Sequence, residues 1–156
     1  MKKNILIIGG TGFVGKHLVA KCLSLNWSVT SISSTKPKKK KIIKKVKYIV
    51  CDISKKKFLY QLIKKKFDYV INLGGYVDHK KKVKTYNSHY IGVKNLANFF
   101  LNKNLTSFVQ MGSSLEYGNL QSPHKEDMKT NIKKLKSVYA TSKLKATNYL
   151  IKLNKK

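Results

Sequence analysis

Asn4-Ile5-Leu6-Ile7-Ile8-Gly9-Gly10-Thr11-Gly12-Phe13-Val14-Gly15 is the stretch whose reading decides the fold. Ile5-Leu6-Ile7-Ile8 is a continuous apolar run of strand length, and Gly9 and Gly10 stop it. An amphipathic pattern begins at Phe13, so a strand turns directly into a helix. Glycines at 9, 12 and 15 suit that turn. Gly9 allows the tight bend, Gly12 lets the backbone approach a pyrophosphate, and Gly15 lets the helix pack closely on the strand. The helix N-terminus then offers free amides and a partial positive charge to phosphates. A glycine triplet alone is a weak signal. Between a buried strand and an apolar-periodic helix it meets the context that a dinucleotide fingerprint requires.

Outward from this loop, short apolar runs alternate with longer helical patterns. The pattern predicts strands at 4–8, 28–32, 46–50, 68–73 and 107–111, with helices at 13–25, 55–66, 84–103 and 134–153. Such alternation predicts an α/β fold, a Rossmann-like doubly wound parallel sheet with helices on both faces. Residues 33–45 are lysine-rich with one proline and read as a long polar crossover. The 156 residues form one domain, and no repeats are visible.

A second motif carries chemistry. Tyr139 and Lys143 lie four residues apart on the final helix, which places both side chains on one face. An ammonium there stabilises a phenolate, turning a phenol into an acid/base that works near neutral pH.

The glycine motif resembles that of the extended short-chain dehydrogenase/reductase family, the NAD(P)-dependent epimerase/dehydratase group. Further landmarks follow in order. Val50-Cys51-Asp52-Ile53 is similar to the family's strand-end Asp-hydrophobic pair. Asp68 to Gly75 resembles its fourth-strand segment, and Phe108 to Gly118 its fifth-strand Ser-Ser-x-x-Tyr-Gly motif. The resemblance implies cofactor binding by Gly9, Thr11, Gly12, Phe13, Val14 and Gly15. It extends to Ser33 and Ser34, to Asp52 and Ile53 at the adenine, and to Leu73, Gly74 and Gly75. It implies Tyr139 as the acid/base and Ser113 as the group that holds the substrate oxygen. Lys143 would assist Tyr139 and hold ribose hydroxyls. The implied function is hydride transfer on a nucleotide-linked sugar.

Several positions depart from the family pattern. NAD-binding relatives place a carboxylate near Ser33; here hydroxyls are followed by Lys36 and Lys38, which favours NADP over NAD. His89 stands where the family often has Asn, either as a substitute polar partner or facing solvent. His79 and Asp78 read as loop polar groups rather than substrate contacts, and Tyr117 as a packing residue. Ser114 and Leu115 occupy positions that in 4,6-dehydratases supply an acid and a base. Glu116 lies one place later, where a strand reverses its facing. Dehydration is therefore disfavoured, and 4-epimerisation or 4-keto reduction remains.

Composition sets the remaining bounds. All 34 basic residues are lysine, against 6 acidic ones, for a net charge of +28. Lysines in short clusters along the whole chain, with no arginine to read bases, argue against specific nucleic-acid binding. They leave weak, salt-sensitive binding to polyanions as an expectation. Nothing physical accounts for the scarcity of Asp and Glu. Cys22 and Cys51 match no metal or redox spacing and read as buried thiols. No membrane span or signal sequence is evident, and a cytoplasmic location is expected. The chain ends thirteen residues after Lys143, without the C-terminal substrate lobe of extended family members. Three readings follow: an inactive fragment, a cofactor-binding module without turnover, or a minimal reductase or partner-completed enzyme. A homodimer through the helices at 84–103 and 134–153 is what the resemblance implies for assembly.

Overall fold

In a computed structural model describing residues 2–62 and 65–154, five parallel strands form one sheet. The strands are β1 (Asn4–Ile8), β2 (Ser28–Ser33), β3 (Lys47–Val50), β4 (Tyr69–Asn72) and β5 (Ser107–Gln110). Their spatial order is β3-β2-β1-β4-β5, so the direction of winding reverses between β1 and β4. The helices are α1 (Phe13–Ser24), α2 (Lys82–Tyr86), α3 (Gly92–Phe100) and α4 (Val138–Asn154). Each predicted strand forms, within one or two residues of its expected ends.

The side-chain alternation of β1 divides the core in two. Ile5 and Ile7 point to the α1 face, where they pack with Val19, Cys22 and Val29. Leu6 and Ile8 point the other way and join Ile32, Val70, Leu96 and Phe100 beneath α3. A strand buried on both faces has no polar side, which is why residues 5–8 read as a continuous apolar run. Cys22 and Cys51 are buried free thiols, and burial pushes the Cys51 thiol up to about 11.

Two predicted helices take other forms. Lys56–Leu62 is a 3-10 helix, and residues 63–64 of the predicted 55–66 helix lie outside the described residues. The predicted 84–103 helix begins at Lys82 and contains a π turn, Asn87–Ile91, between α2 and α3. There the Gly92 amide bonds the Asn87 carbonyl five residues back, leaving one residue more than a regular turn holds. The 33–45 crossover is irregular apart from one 3-10 turn, Lys39–Lys41. After β5 the chain makes a 3-10 turn at Ser114–Tyr117, and a second at Ile132–Lys134, before α4. No described helix is long and apolar enough to cross a membrane.

Candidate active site

Where the strand order reverses, the loops after β1 and β4 stand side by side at the carboxyl ends of the strands, the place where open α/β sheets hold ligands. The glycine loop is the first of the two. Gly9 turns with φ +81°, and a Cβ on it would stand 3.0 Å from the Gly74 amide nitrogen, so the two loops touch through backbone alone. A Cβ on Gly15 would enter the Gly9 carbonyl oxygen and come within 2.7 Å of the Gly10 Cα. Gly12 caps α1 with extended backbone and no side-chain hydrogen bond, and the first turn carries no acid. The amides of Phe13, Val14 and Gly15 therefore stay open, with the exposed side chains of Phe13 and Val14 beside them. Thr11 completes the loop. A diphosphate suits this cradle, which joins open amides to the positive end of a twelve-residue helix.

At the same end of the sheet, Ser33 ends β2 and donates its hydroxyl to the Thr35 carbonyl at 2.6 Å. Ser34, Lys36 and Lys38 beside it are exposed. Asp52 follows β3 and accepts from the amide and the hydroxyl of Ser54 at 3.0 and 2.7 Å. The buried Ile53 packs under Gly92, and Asn95 donates to the carbonyls of both Ile53 and Ser54 at 3.0 Å. Asn95 escaped the sequence reading because nothing in Lys94-Asn95-Leu96-Ala97-Asn98 marks one Asn rather than the other as facing the chain after β3.

Past β4 lies a cavity of about 290 Å³ walled by Leu73, Gly74, Gly75, His79, His89, Met111, Tyr139 and Lys143, among others. Ser137 caps α4 by accepting the Ala140 amide at 3.1 Å, which sets the helix phase that turns Tyr139 and Lys143 inward. Lys143 is 4 % exposed; its Nζ donates to the Met111 carbonyl at 2.7 Å and lies 5.9 Å from the Tyr139 ring centroid. Burial lowers the Lys143 pKa, and the nearby Glu116 carboxylate works against that shift.

Two histidines flank Tyr139, one adding a contact that the sequence reading lacked and the other choosing between its two alternatives. His79 lies in the loop after β4, exposed as read, and its ring stacks on the Tyr139 ring at 4.0 Å between centroids. His89 does not face solvent. It is buried by the π turn, meets the Tyr139 ring edge-on at 4.8 Å, and bonds the Tyr76 carbonyl through Nε2 at 3.1 Å. A carbonyl only accepts, so Nε2 carries the hydrogen and Nδ1 presents a lone pair with no partner. Desolvation, aided by Lys143 and His79, pushes the His89 pKa down to about 4 despite the opposing Tyr76 bond. A Cβ on Gly75 would fall on the His89 ring, 2.6 Å from Nδ1, so glycine at 75 is what admits the imidazole.

Ser113 sits just beyond β5 rather than in the cavity wall, and its hydroxyl accepts the Leu115 amide at 3.3 Å. Glu116 is not on a strand, because β5 ends at Gln110 and Ser114–Tyr117 is a 3-10 turn. Its buried carboxylate accepts from the Ser113 amide and the Thr147 hydroxyl instead. Tyr117 packs as expected, stacked on His124 at 4.6 Å.

No curated protein matches the chain in sequence. Among solved structures it resembles the UDP-Glc/GlcNAc 4-epimerase of Campylobacter jejuni, with 21 % identity, a TM-score of 0.86, and coverage of 98 % of this chain and 49 % of that one. The UDP-glucose 4-epimerase of Thermotoga maritima, solved with UDP-glucose, gives 19 % identity, a TM-score of 0.87, and coverage of 98 % and 52 %. The ADP-L-glycero-D-manno-heptose-6-epimerase of Helicobacter pylori gives 24 %, 0.83, and coverage of 97 % and 51 %. At these identities the likeness establishes the fold, and the chain spans about half the length of each neighbour. The NAD dependent epimerase/dehydratase family matches residues 5–156, from the second residue of β1 through α4. With that match over almost its whole length, the chain belongs to the NAD dependent epimerase/dehydratase family.

Proposed function

We propose that the chain is a single dinucleotide-binding domain whose Tyr139 and Lys143 serve proton transfer on a nucleotide-linked sugar. The observation that carries this reading is the meeting of two independent motifs at one end of the sheet. The glycine loop opens beside Leu73–Gly75, and the same Gly74–Gly75 segment walls the cavity that holds Tyr139 and Lys143. When bound, the dinucleotide takes up or returns a hydride at a sugar carbon. Tyr139 accepts the proton of the sugar hydroxyl as the carbon is oxidised and returns it on reduction. Lys143, held by the Met111 carbonyl, keeps two further N–H donors for the phenolate and for ribose hydroxyls. Ser113 holds the substrate oxygen as charge develops.

The reaction class favoured is 4-epimerisation or 4-keto reduction. Ser114 and Leu115 offer no acid/base pair for elimination, and both oxygens of Glu116 are already engaged. For the cofactor, a 2′-phosphate beside Ser33 and Ser34 would meet a hydroxyl in place of a carboxylate at the end of β2, with the exposed Lys36 and Lys38 a few residues on, which favours NADP. The family is NAD dependent and solved neighbours carry NAD, so NAD is the competing ligand. The helical face of α2, α3 and α4 is proposed as a homodimer contact. A second reading, dinucleotide binding without turnover, draws on Ser113 lying outside the wall of the cavity that holds Tyr139 and Lys143.

Melting of the purified chain with NADP, NAD or no ligand tests binding, since a ligand that prefers the folded state raises its stability by mass action. A saturable upward shift is expected, larger for NADP; a folded protein with no shift defeats the binding claim. Turnover is then assayed with UDP-glucose and UDP-N-acetylglucosamine. Tyr139→Phe is expected to lower kcat by about 10²- to 10⁴-fold with the ligand shift retained. Intact binding without turnover on any nucleotide-sugar selects the second reading.

A further inference from the structure

The catalytic groups of this reading come from two segments far apart in sequence. Ser113 stands on the turn after β5, whereas Tyr139 and Lys143 stand on α4. One side chain spans the gap. Glu116 is 7 % exposed, and its Oε1 accepts the Ser113 amide at 2.8 Å while its Oε2 accepts the Thr147 hydroxyl of α4 at 2.6 Å. Thr147 lies one helical turn after Lys143, on the same side of α4. Glu116 also closes a reciprocal cap, since the Ser113 hydroxyl accepts the Leu115 amide of the same turn. A Cβ on Gly112 would sit 3.3 Å from Oε1, so the preceding residue is small where the carboxylate passes.

We propose that Glu116 is a positioning residue whose two carboxylate oxygens lock the Ser113 turn onto α4, so that Ser113, Tyr139 and Lys143 are held in one frame. Burial makes the arrangement demanding. A carboxylate out of water needs its hydrogen bonds, and bonds accepted by an ionised oxygen are the shorter and stronger kind. With both bonds made, the turn and the helix move together, and the Ser113 hydroxyl keeps a fixed distance from the phenol. With the lock broken, each piece still folds on the sheet, but their relative placement drifts. Misplacement on the scale of an ångström is enough to cost about 10²-fold in a positioned reaction. The negative charge serves Lys143 as well, because it favours the ammonium against burial.

This inference rests on the proposed function, and its test reads geometry separately from turnover. Three variants divide the lock. Glu116→Ala removes both bonds. Thr147→Val removes the α4 end alone and leaves the carboxylate in place. Glu116→Gln keeps an acceptor for the Ser113 amide and an N–H₂ that the Thr147 hydroxyl can accept, but removes the charge. Hydrogen exchange of the Ser113 amide, followed by NMR on the full chain, is expected to speed up at least about tenfold in Glu116→Ala and Thr147→Val, and to stay slow in Glu116→Gln. Turnover of UDP-glucose with the preferred dinucleotide is expected to fall in kcat by about tenfold or more in the first two variants, with KM and dinucleotide affinity within about twofold. Glu116→Gln should recover most of that loss. Unchanged exchange and unchanged kcat in Thr147→Val would overturn the proposal, as would a Glu116→Gln enzyme as slow as Glu116→Ala, which would leave charge rather than placement as the cause. If exchange behaves as expected but no variant, nor the parent chain, turns over UDP-glucose, the lock stands and the assigned reaction fails.

Discussion

At the residue scale, the environment of Tyr139 is unusual in being built from rings. His79 covers one face at 4.0 Å and His89 meets its edge at 4.8 Å, so the phenol is held by stacking as well as by its helix. His89 carries a consequence for pH. Its pKa in the folded chain, about 4, lies below the ordinary 6.5, so between those values the unfolded chain binds the extra proton. Its contribution to stability is therefore fully present above pH 6.5 and is lost as pH falls through 4, by up to about 3 kcal/mol. Urea unfolding of the parent chain across that window should show the decline, and His89→Asn should flatten it. A parallel decline in both proteins would place the acid sensitivity elsewhere. Nothing in sequence separated this imidazole from an exposed one, because its burial depends on Gly75 and on a turn whose type no local motif announced.

At the scale of elements, the strands were legible and two of the helices only in part. Ile5–Ile8 could be read because burial on both faces demands an unbroken apolar run, and the glycine loop because each of its positions answers a separate steric need. Gly15 shows how strict that need is. Alanine there would gain about 1 kcal/mol of helix propensity, yet its methyl would meet the Gly9 carbonyl and the Gly10 backbone, and overpacking of that kind costs about 1–3 kcal/mol. Gly15→Ala is expected to lower the unfolding free energy despite the better helix former, and to weaken dinucleotide binding by about tenfold as the loop shifts. A stabilised variant with unchanged affinity would contradict that account. The Glu116 turn was misread although its local signal was present: Ser113-Ser114-Leu115-Glu116 has the Ser-x-x-Glu spacing of a capping box, which the apolar run of β5 just before it overshadowed, and only the Thr147 bond to α4 lies beyond local sequence.

At the scale of the whole molecule, charge dominates. With 34 basic residues against 6 acidic ones, the folded chain concentrates like charge that the unfolded chain can spread out. An ion pair such as Lys81–Asp78, 4.0 Å apart with both side chains about half exposed, offsets little of it. Raising sodium chloride from about 0.01 to 0.15 M shortens the screening length from roughly 30 to 8 Å. The melting temperature is expected to rise over that range, whereas a protein stabilised by surface ion pairs would melt lower. The lysines left the fold readable, since they are absent from β1, β2, β4 and β5 and interrupt none of those apolar runs, but they blurred the cofactor reading: Lys36 and Lys38 beside Ser33 look the same as lysines that no ligand reaches.

The π turn at Asn87–Ile91 lets one rod serve two surfaces. An added residue in a helix rotates everything before it by about 100° relative to everything after it. Leu96 and Phe100 can thus keep their grip on the sheet while His89 faces Tyr139. Removing one residue from that turn would leave a straighter helix whose sheet contacts survive, but it would swing the imidazole away from Tyr139. A single-codon deletion here would therefore alter the reactive face of the molecule without disturbing its architecture, which makes this short segment a place where chemistry can diverge while the fold is conserved.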